Sequence, residues 1–173
     1  EDIDALCYGT GRPFVMEMAN PKIRTADLRE LEEAINKSAM PEVEVRLESW
    51  SNKKTVEMLK SHKGHKTYRI LVSVDDRISL ENIQNAVSKL NGAWIAQRTP
   101  NRVSHRRADL VRKRQVIGIQ VLGIENGLYR LEVVGDSGLY IKELISGDEG
   151  RTSPSLSEIL AAPAKVTELD VVQ

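Results

Sequence analysis

The chain has 173 residues and no net charge, and its 40% apolar and 29% charged residues support one sizeable core, in one domain or slightly more. We expect no membrane-spanning helix, since no run of eighteen apolar residues occurs, and no signal peptide, since the start lacks a basic-then-apolar pattern. The single cysteine, Cys7, excludes an internal disulfide and a four-ligand cysteine zinc set, which favours a reducing, cytoplasmic compartment.

The first part of the chain carries the patterns of two strands and two helices. They cover residues 12–19 (strand), 25–38 (helix), 43–47 (strand) and 55–60 (helix). Apolar residues at helical spacing define the first helix, which Thr25 or Asp27 caps. Strict alternation of apolar and acidic or basic residues defines the second strand.

The rest of the chain predicts a larger set of elements. Strands are expected over 67–74, 93–97, 115–124, 128–134 and 165–172, and helices over 79–90 and 155–161. Ser79 and Ser155 are the expected helix caps, and residues 138–145 fit either a strand or a helix. Two successive β-α-β units in this pattern indicate an α+β sheet with helices on one face.

Positive charge is concentrated in one segment. Residues 98–114 hold seven Lys or Arg residues against one acid, Asp109, so this basic segment carries +6 and the rest of the chain carries −6. Such asymmetry is typical of an anion-binding surface. We expect the basic segment to form a long functional loop.

Four separated segments form a recognisable set: residues 1–14 (EDIDALCYGTGRPF), 66–72 (KTYRILV), 95–114 (IAQRTPNRVSHRRADLVRKR) and 138–156 (GLYIKELISGDEGRTSPSL). In content and order they resemble the archaeal-type tRNA pseudouridine synthases, a family that isomerises uridines fifty-four and fifty-five in the TΨC arm of tRNA. The resemblance implies a pseudouridine synthase-like α+β fold, with a mixed, mainly antiparallel sheet flanked by helices and loops. It also implies that residues 1–173 are the C-terminal catalytic portion, without the family's N-terminal RNA-binding region.

The reaction that this resemblance implies needs no cofactor and no metal, because the uracil is only detached from C1′ and rejoined through C5. It needs an ionised carboxylate, which could attack C1′ or uracil C6 or remove the 2′ proton. Asp2 in the ED-x-D motif is the candidate catalytic residue. Asp4 is the competitor, because residues two apart on a strand face the same side.

The same resemblance assigns substrate-binding roles. Lys142 matches the family's basic partner, which would keep Asp2 ionised, and Tyr68 matches the tyrosine that packs against the target base. The basic segment is expected to bind tRNA phosphates, with Arg98, Arg102, Arg106 and Arg107 as its named contacts. Arg151 is expected at the edge of the site or in an ion pair.

Two other functions stay open. The chain could be a non-catalytic RNA-binding module, because the basic segment alone would suffice for that. It could also be a metal-dependent phosphoesterase with Asp2, Asp4 and Asp75 or Asp76 as ligands. His62 and His65 have metal-like spacing, but they lie in a basic stretch without a neighbouring acid or cysteine, so surface histidines are favoured there.

Overall fold

A computed structural model describes residues 6–8, 11–61 and 64–172 of the chain. These residues fall into two compact units. One consists of the described residues of Glu1–Arg12 and Lys63–Gln173, and the other of those of Pro13–His62.

The described residues contain seven strands and five α-helices. Strands β1 to β7 span Leu6–Cys7, His65–Val74, Trp94–Arg98, Val111–Glu125, Leu128–Asp136, Thr152–Ser153 and Ala164–Val171. Helices α1 to α5 span Leu28–Ala39, Lys53–Ser61, Leu80–Leu90, Ile141–Ser146 and Leu156–Leu160. Short 3-10 turns occupy Asn101–Val103 and Asp148–Gly150.

The strands form one sheet with the order β1-β7-β2-β5-β4-β3-β6. Strands β1 and β7 run parallel, and every other pairing in the described residues is antiparallel. This confirms the α+β fold with a mixed, mainly antiparallel sheet. The last strand, β7, lies between the first two and therefore joins both ends of the chain to β2.

Strand β4 is long enough to pair with different partners along its length. Its first part pairs with β3 and its remainder with β5, and the register shifts between Val116 and Gly118 and again between Val121 and Gly123. Such irregularities bend a strand. The expectation that all of residues 98–114 form a loop is therefore wrong: Arg98 ends β3, residues 111–114 begin β4, and the loop is residues 99–110.

The core lies on the face of the sheet that three helices cover. Tyr68, Ile70 and Val72 alternate along β2 into this core. Helix α3 contacts β4 and α5, and α4 contacts β7 and α5, so the helices also pack on one another. On the other face Arg69 bonds to Glu132, whereas Leu71 is buried. Period-two alternation on β2 thus separates a face in the helix-covered core from a face of mixed polarity.

Residues 138–145, which fitted either a strand or a helix, contain most of helix α4. Its C-cap, Gly147, has φ 81° and its N–H donates to the carbonyl of Glu143. The left-handed conformation at the cap favours glycine. The glycine ends the helix directly after the apolar run, and the segment therefore contains a short helix.

The Pro13–His62 unit corrects two expectations. Helix α1 is capped by Asp27, as one of the two alternatives predicted, but neither residues 12–19 nor 43–47 form a strand. The N–H and C=O of Val45 instead bond to the side chain of Asn36. With these strands absent, the first predicted β-α-β unit is wrong: alternation predicts a strand only where a partner strand satisfies its backbone.

None of residues 13–59 and 61 of this unit is buried. Its apolar side chains are half-buried or exposed, and several large ones are exposed: Phe14, Met16, Met18, Ile23, Val43, Trp50 and Met58. In the described part of the chain, no helix is both long and apolar enough to cross a bilayer.

Candidate functional site

Strand β1 brings the amino-terminal part of the chain close to β2. In the register, Leu6 lies opposite Asp170 and Cys7 opposite Val171, and Val171 in turn lies opposite Tyr68. One strand therefore separates β1 from the strand that carries Tyr68. The candidate catalytic residue Asp2 and its competitor Asp4 lie outside the described residues.

Lys142 lies beside the same strands. Helix α4 contacts β7, and Lys142 is half-buried on it. It lines a pocket of about 160 Å³ together with Leu6 and residues 166–170 of β7, which include Glu168 and Asp170. Lys142 on α4 and Leu6 on β1 therefore line one pocket, although more than a hundred residues separate them.

Gln97 fixes the residue from which α4 starts. Its fully buried amide donates to the carbonyl of Tyr140 at 2.9 Å and accepts from the N–H of Tyr140 at 2.8 Å. Both polar groups of the amide are satisfied, which a buried glutamine requires. The start of α4, and with it Lys142, is thereby tied to β3.

Tyr68 is buried, with only 4% of its surface exposed, among the core residues on the helix-covered face. A base that contacts this ring must displace the groups that now cover it. The predicted packing of Tyr68 against a base stays a prediction.

Arg102 and Glu143 form a buried ion pair between the basic segment and α4. Arg102 Nε donates to Glu143 Oε1 at 2.7 Å, and Arg102 Nη2 donates to Oε2 at 3.2 Å. The Glu143 side chain is 5% exposed and that of Arg102 34%. The pair has bidentate geometry, which gives direction as well as energy. It connects the 3-10 turn of the basic segment to the helix that carries Lys142.

Arg98 and Arg151 meet on the single acid of the basic segment. Arg98 Nη2 lies 2.5 Å from Asp109 Oδ2, and Arg151 Nη2 lies 3.1 Å from Asp109 Oδ1. Hydrogen bonding from Arg98 lowers the pKa of the Asp109 carboxyl below its usual value and raises the pKa of the Arg98 guanidinium. Arg151 also donates twice to the carbonyl of Thr99. These contacts close residues 99–110 into a defined loop.

Two further arginines point to acceptors in the fold. Arg112 donates to the hydroxyl of Thr99 at 2.9 Å, and Arg114 donates to the carbonyl of Ser137 at 3.0 Å. Hence most arginines of the basic segment donate hydrogen bonds to groups within the protein.

Arg106, Arg107 and Lys113 differ from the other cations. All three are exposed, and within the described residues their side chains make no hydrogen bond and no ion pair. They are available to an external anion without the loss of an internal contact.

The structure thus brings Lys142 and the first strand together and attaches Arg102 to the same helix, whereas Arg98 and Arg151 share a separate cluster around Asp109. The ion pair expected as one role of Arg151 is present. Sequence reasoning missed Glu143 and Gln97. Glu143 had a signal, because an acid inside the apolar run of residues 138–145 needs a partner when that run is buried.

Groups suited to a metal ion are not gathered in the part of the chain that the structure describes, where no three His, Cys, Asp or Glu side chains cluster. Asp75, one possible ligand in the phosphoesterase hypothesis, accepts two hydrogen bonds of 2.8 Å from Arg77 in the turn after β2. These bonds lower the pKa of the Asp75 carboxyl below its usual range. Stabilisation of the turn by these hydrogen bonds is therefore enough to explain Asp75, without a metal ion.

Comparison with known proteins gives matches over the whole chain. The family model described as "Pus10, C-terminal" matches residues 1–173. The tRNA pseudouridine synthase Pus10 of Methanothrix thermoacetophila is 46% identical over 172 residues, which are 99% of this chain and 38% of that protein. The protein of the same name from Korarchaeum cryptofilum is 45% identical over 175 residues, covering 100% of this chain and 47% of that protein.

A solved structure supports the fold. A chain in the crystal structure of a Cbf5-Nop10-Gar1 complex superposes with a TM-score of 0.56 and 24% identity, over 71% of this chain and 34% of that chain. The present chain spans less than half the length of the two curated relatives above. On the match of the family model and the identity to these relatives, the chain belongs to the Pus10 C-terminal family.

Proposed function

We propose that this chain is the catalytic portion of a tRNA pseudouridine synthase, which isomerises uridine to pseudouridine at position fifty-four or fifty-five of the TΨC arm. The observation that carries the proposal is the pocket in which Lys142 meets Leu6, only four residues after Asp2. Membership of the Pus10 C-terminal family supports it. A tRNA substrate and a single cysteine are consistent with work in the cytoplasm.

In the proposed reaction, the C1′–N1 bond breaks, the uracil turns, and a C1′–C5 bond forms while C5 releases its proton and N1 gains one. Asp2 supplies the carboxylate, by attack on C1′ or C6 or by removal of the 2′ proton. Lys142 supplies a positive charge in the pocket, and a nearby cation favours the ionised form of a carboxyl group. Tyr68 contacts the uracil once the groups that cover its ring are displaced.

The basic segment has a separate task. A target uridine inside a folded RNA arm must be flipped out, which costs a few kcal/mol. Phosphate contacts offset this cost, and each contact releases counterions. Arg106 and Arg107 serve this role directly because they have no internal partner among the described residues. Arg98, Arg102 and Arg151 hold residues 99–110 in place. The backbone of this loop and the outer edges of the three guanidinium groups then contact the RNA.

The test compares Asp2→Ala with the matched variant Asp4→Ala, in this chain and at the corresponding positions of the longer relative from Methanothrix thermoacetophila. Pseudouridine is detected chemically in unmodified tRNA, and tRNA binding is measured separately by anisotropy. We expect Asp2→Ala to lose all product while it keeps tRNA affinity, and Asp4→Ala to keep turnover. Turnover in Asp2→Ala with none in Asp4→Ala would transfer the catalytic role to Asp4.

Lys142→Met and Lys142→Arg complete the experiment. Loss of the cation destabilises a neighbouring carboxylate, so we expect Lys142→Met to shift the acid limb of the pH–rate profile to higher pH, and Lys142→Arg to shift it less. Salt-sensitive tRNA binding without product in both the chain and the longer relative would instead establish the non-catalytic RNA-binding module.

A further inference from the structure

Trp94 is a large aromatic side chain on the surface of the best-packed unit. It begins β3 and 61% of its surface is exposed. The next residue, Ile95, is fully buried, so β3 has one face on the core and one in solvent. The chain has only seven aromatic residues, and Trp94 is not among the core residues of this unit.

The register of β3 and β4 shows what surrounds the indole. Trp94 lies opposite Gln115, and Ala96, on the same face of β3, lies opposite Lys113. Residues opposite one another in an antiparallel pair share a face, and diagonal neighbours lie roughly 7–8 Å apart. Lys113 is therefore a diagonal neighbour of Trp94. The outer face of the β3–β4 ribbon consists of Trp94, Ala96, Arg98, Val111, Lys113 and Gln115.

The cations of this ribbon differ in their internal contacts, and Arg98 on the outer face pairs with Asp109. On the inner face, Arg112 and Arg114 bond to Thr99 and Ser137. On the outer face, Lys113 makes no side-chain hydrogen bond or ion pair within the described residues. The exposed indole of Trp94 lies near the Lys113 ammonium, which belongs to the segment of charge +6, and together they complement a ligand that combines a π-face with an anion.

We propose that the outer face of the β3–β4 ribbon binds an unpaired nucleotide of RNA, with the base stacked on Trp94 and a flanking phosphate on Lys113. The inference rests on the proposed function, since it assumes an RNA substrate, and adds a contact outside the Lys142 pocket. Stacking requires a free base face, so the site selects nucleotides of a loop or single strand over those of a duplex. It tolerates different bases, because every base has such a face.

A single-tryptophan chain tests the proposal. The variant Trp50→Phe removes the other tryptophan, so that all indole emission comes from Trp94. Unmodified tRNA, a single-stranded oligonucleotide and a duplex of the same sequence are titrated, with indole emission and the anisotropy of labelled RNA followed in parallel. We expect quenching by tRNA and by the single strand, and much less quenching by the duplex.

Substitutions in the wild-type background separate stacking from charge. We expect Trp94→Ala to weaken single-strand binding roughly 5- to 100-fold, whereas Trp94→Phe, which keeps an aromatic face, loses much less. Trp50→Phe alone is the matched control and should bind as the parent does. Because Trp94 is exposed, circular dichroism should show all three variants folded.

The outcomes are distinguishable from those of the proposed function. RNA binding by anisotropy with unchanged Trp94 emission, or equal affinity of Trp94→Ala, overturns this inference and leaves the proposed function intact. Trp94 emission that changes with protein concentration but not on addition of RNA would show that this face binds a second copy of the chain. That result would also overturn the inference. Absence of any RNA binding would remove the inference and the proposed function together.

Discussion

Arg102 and Arg106 lie four residues apart in the same basic segment, yet the fold uses them in opposite ways. Arg102 forms a bidentate pair with the buried Glu143, whereas Arg106 is exposed and has no side-chain partner within the described residues. A run of like charges is therefore not one functional surface. One part of it builds the loop, and another part remains for the ligand.

The same division extends over the whole basic segment together with Arg151. The cations with internal partners are Arg98, Arg102, Arg112, Arg114 and Arg151, and those whose side chains have no partner among the described residues are Arg106, Arg107 and Lys113. We expect substitutions in the first set to change the stability of the protein, and those in the second to change only its affinity for RNA.

The largest expected effect is that of Arg102→Ala. It leaves Glu143 buried without its bidentate partner. Removal of one member of a buried pair costs roughly 3–5 kcal/mol, and we expect about 3 kcal/mol here because Arg102 is itself one-third exposed. Urea denaturation measures the loss.

Arg106→Ala is the matched control and should change the free energy of unfolding by less than about 0.5 kcal/mol. Glu143→Gln in the Arg102→Ala background should recover part of the loss, since a neutral amide is less costly to bury than a carboxylate. Equal stability of Arg102→Ala and Arg106→Ala would contradict the division of the cations into those with and those without internal partners.

Arg151→Ala should have the next largest effect. Its guanidinium, 20% exposed, donates to the Thr99 carbonyl and to Asp109, and hydrogen bonds to charged groups contribute about 1.5–3 kcal/mol. We expect a loss in this range and faster hydrogen exchange at the Thr99 amide, which donates to Leu110.

Arg130→Ala provides the comparison for this variant, because Arg130 pairs with Glu125 on the exposed β4–β5 hairpin. Exposed pairs contribute about 0–1 kcal/mol. If Arg130→Ala is as destabilising as Arg151→Ala, the cluster around Asp109 has no special role in the loop.

A smaller and purely electrostatic effect is expected for Arg106→Ala, Arg107→Ala and Lys113→Ala. Each should reduce the slope of log affinity against log salt by about 1, because one phosphate contact is removed. Anisotropy titrations with tRNA over a range of salt concentrations measure the slope. Lys165→Ala, an exposed lysine on β7, should leave the slope unchanged; an equal reduction there would mean that net charge alone governs binding.

The smallest effect concerns pH. Hydrogen bonding from Arg98 lowers the pKa of Asp109 below the usual 3.8, so the folded state binds this proton less readily than the unfolded state. The stabilisation is then fully present above the unfolded value and is lost as pH falls through the lower folded value. We expect the stability difference between the parent and Asp109→Asn to be constant from about pH 5 to 8 and to shrink below about pH 4. A change between pH 6 and 8, measured by urea denaturation, would contradict this.

Prediction of the fold from sequence was accurate where signals are local. Helix α3 starts after Ser79 and ends at Leu90 as expected, because a capping box and an amphipathic stripe lie within the segment itself. The strand expected over residues 43–47 was wrong, because a strand needs a partner that the sequence does not specify. Asn36 and Glu32 of α1 instead bond to the backbone of Val45 and Leu47.

The candidate site was predictable in part. Motifs identified Lys142 and the basic segment, and the structure places Lys142 in a pocket with Leu6. The roles of Asp2, Tyr68 and the named arginines in catalysis or binding stay predictions. Which arginines bond internally was not predictable, because Glu143 is distant in sequence from Arg102, and Thr99 and Asp109 are distant from Arg151.

By itself, the sequence determined the α+β class, most helix and strand positions in the larger unit, and the concentration of positive charge, since each depends on periodicity, capping or composition within a short window. The tertiary structure alone decided that β7 lies between β1 and β2, that Lys142 meets Leu6, and which cations face solvent. Those outcomes depend on contacts between segments far apart in the chain, and short-range patterns do not encode which distant partner will satisfy a given charge or strand edge.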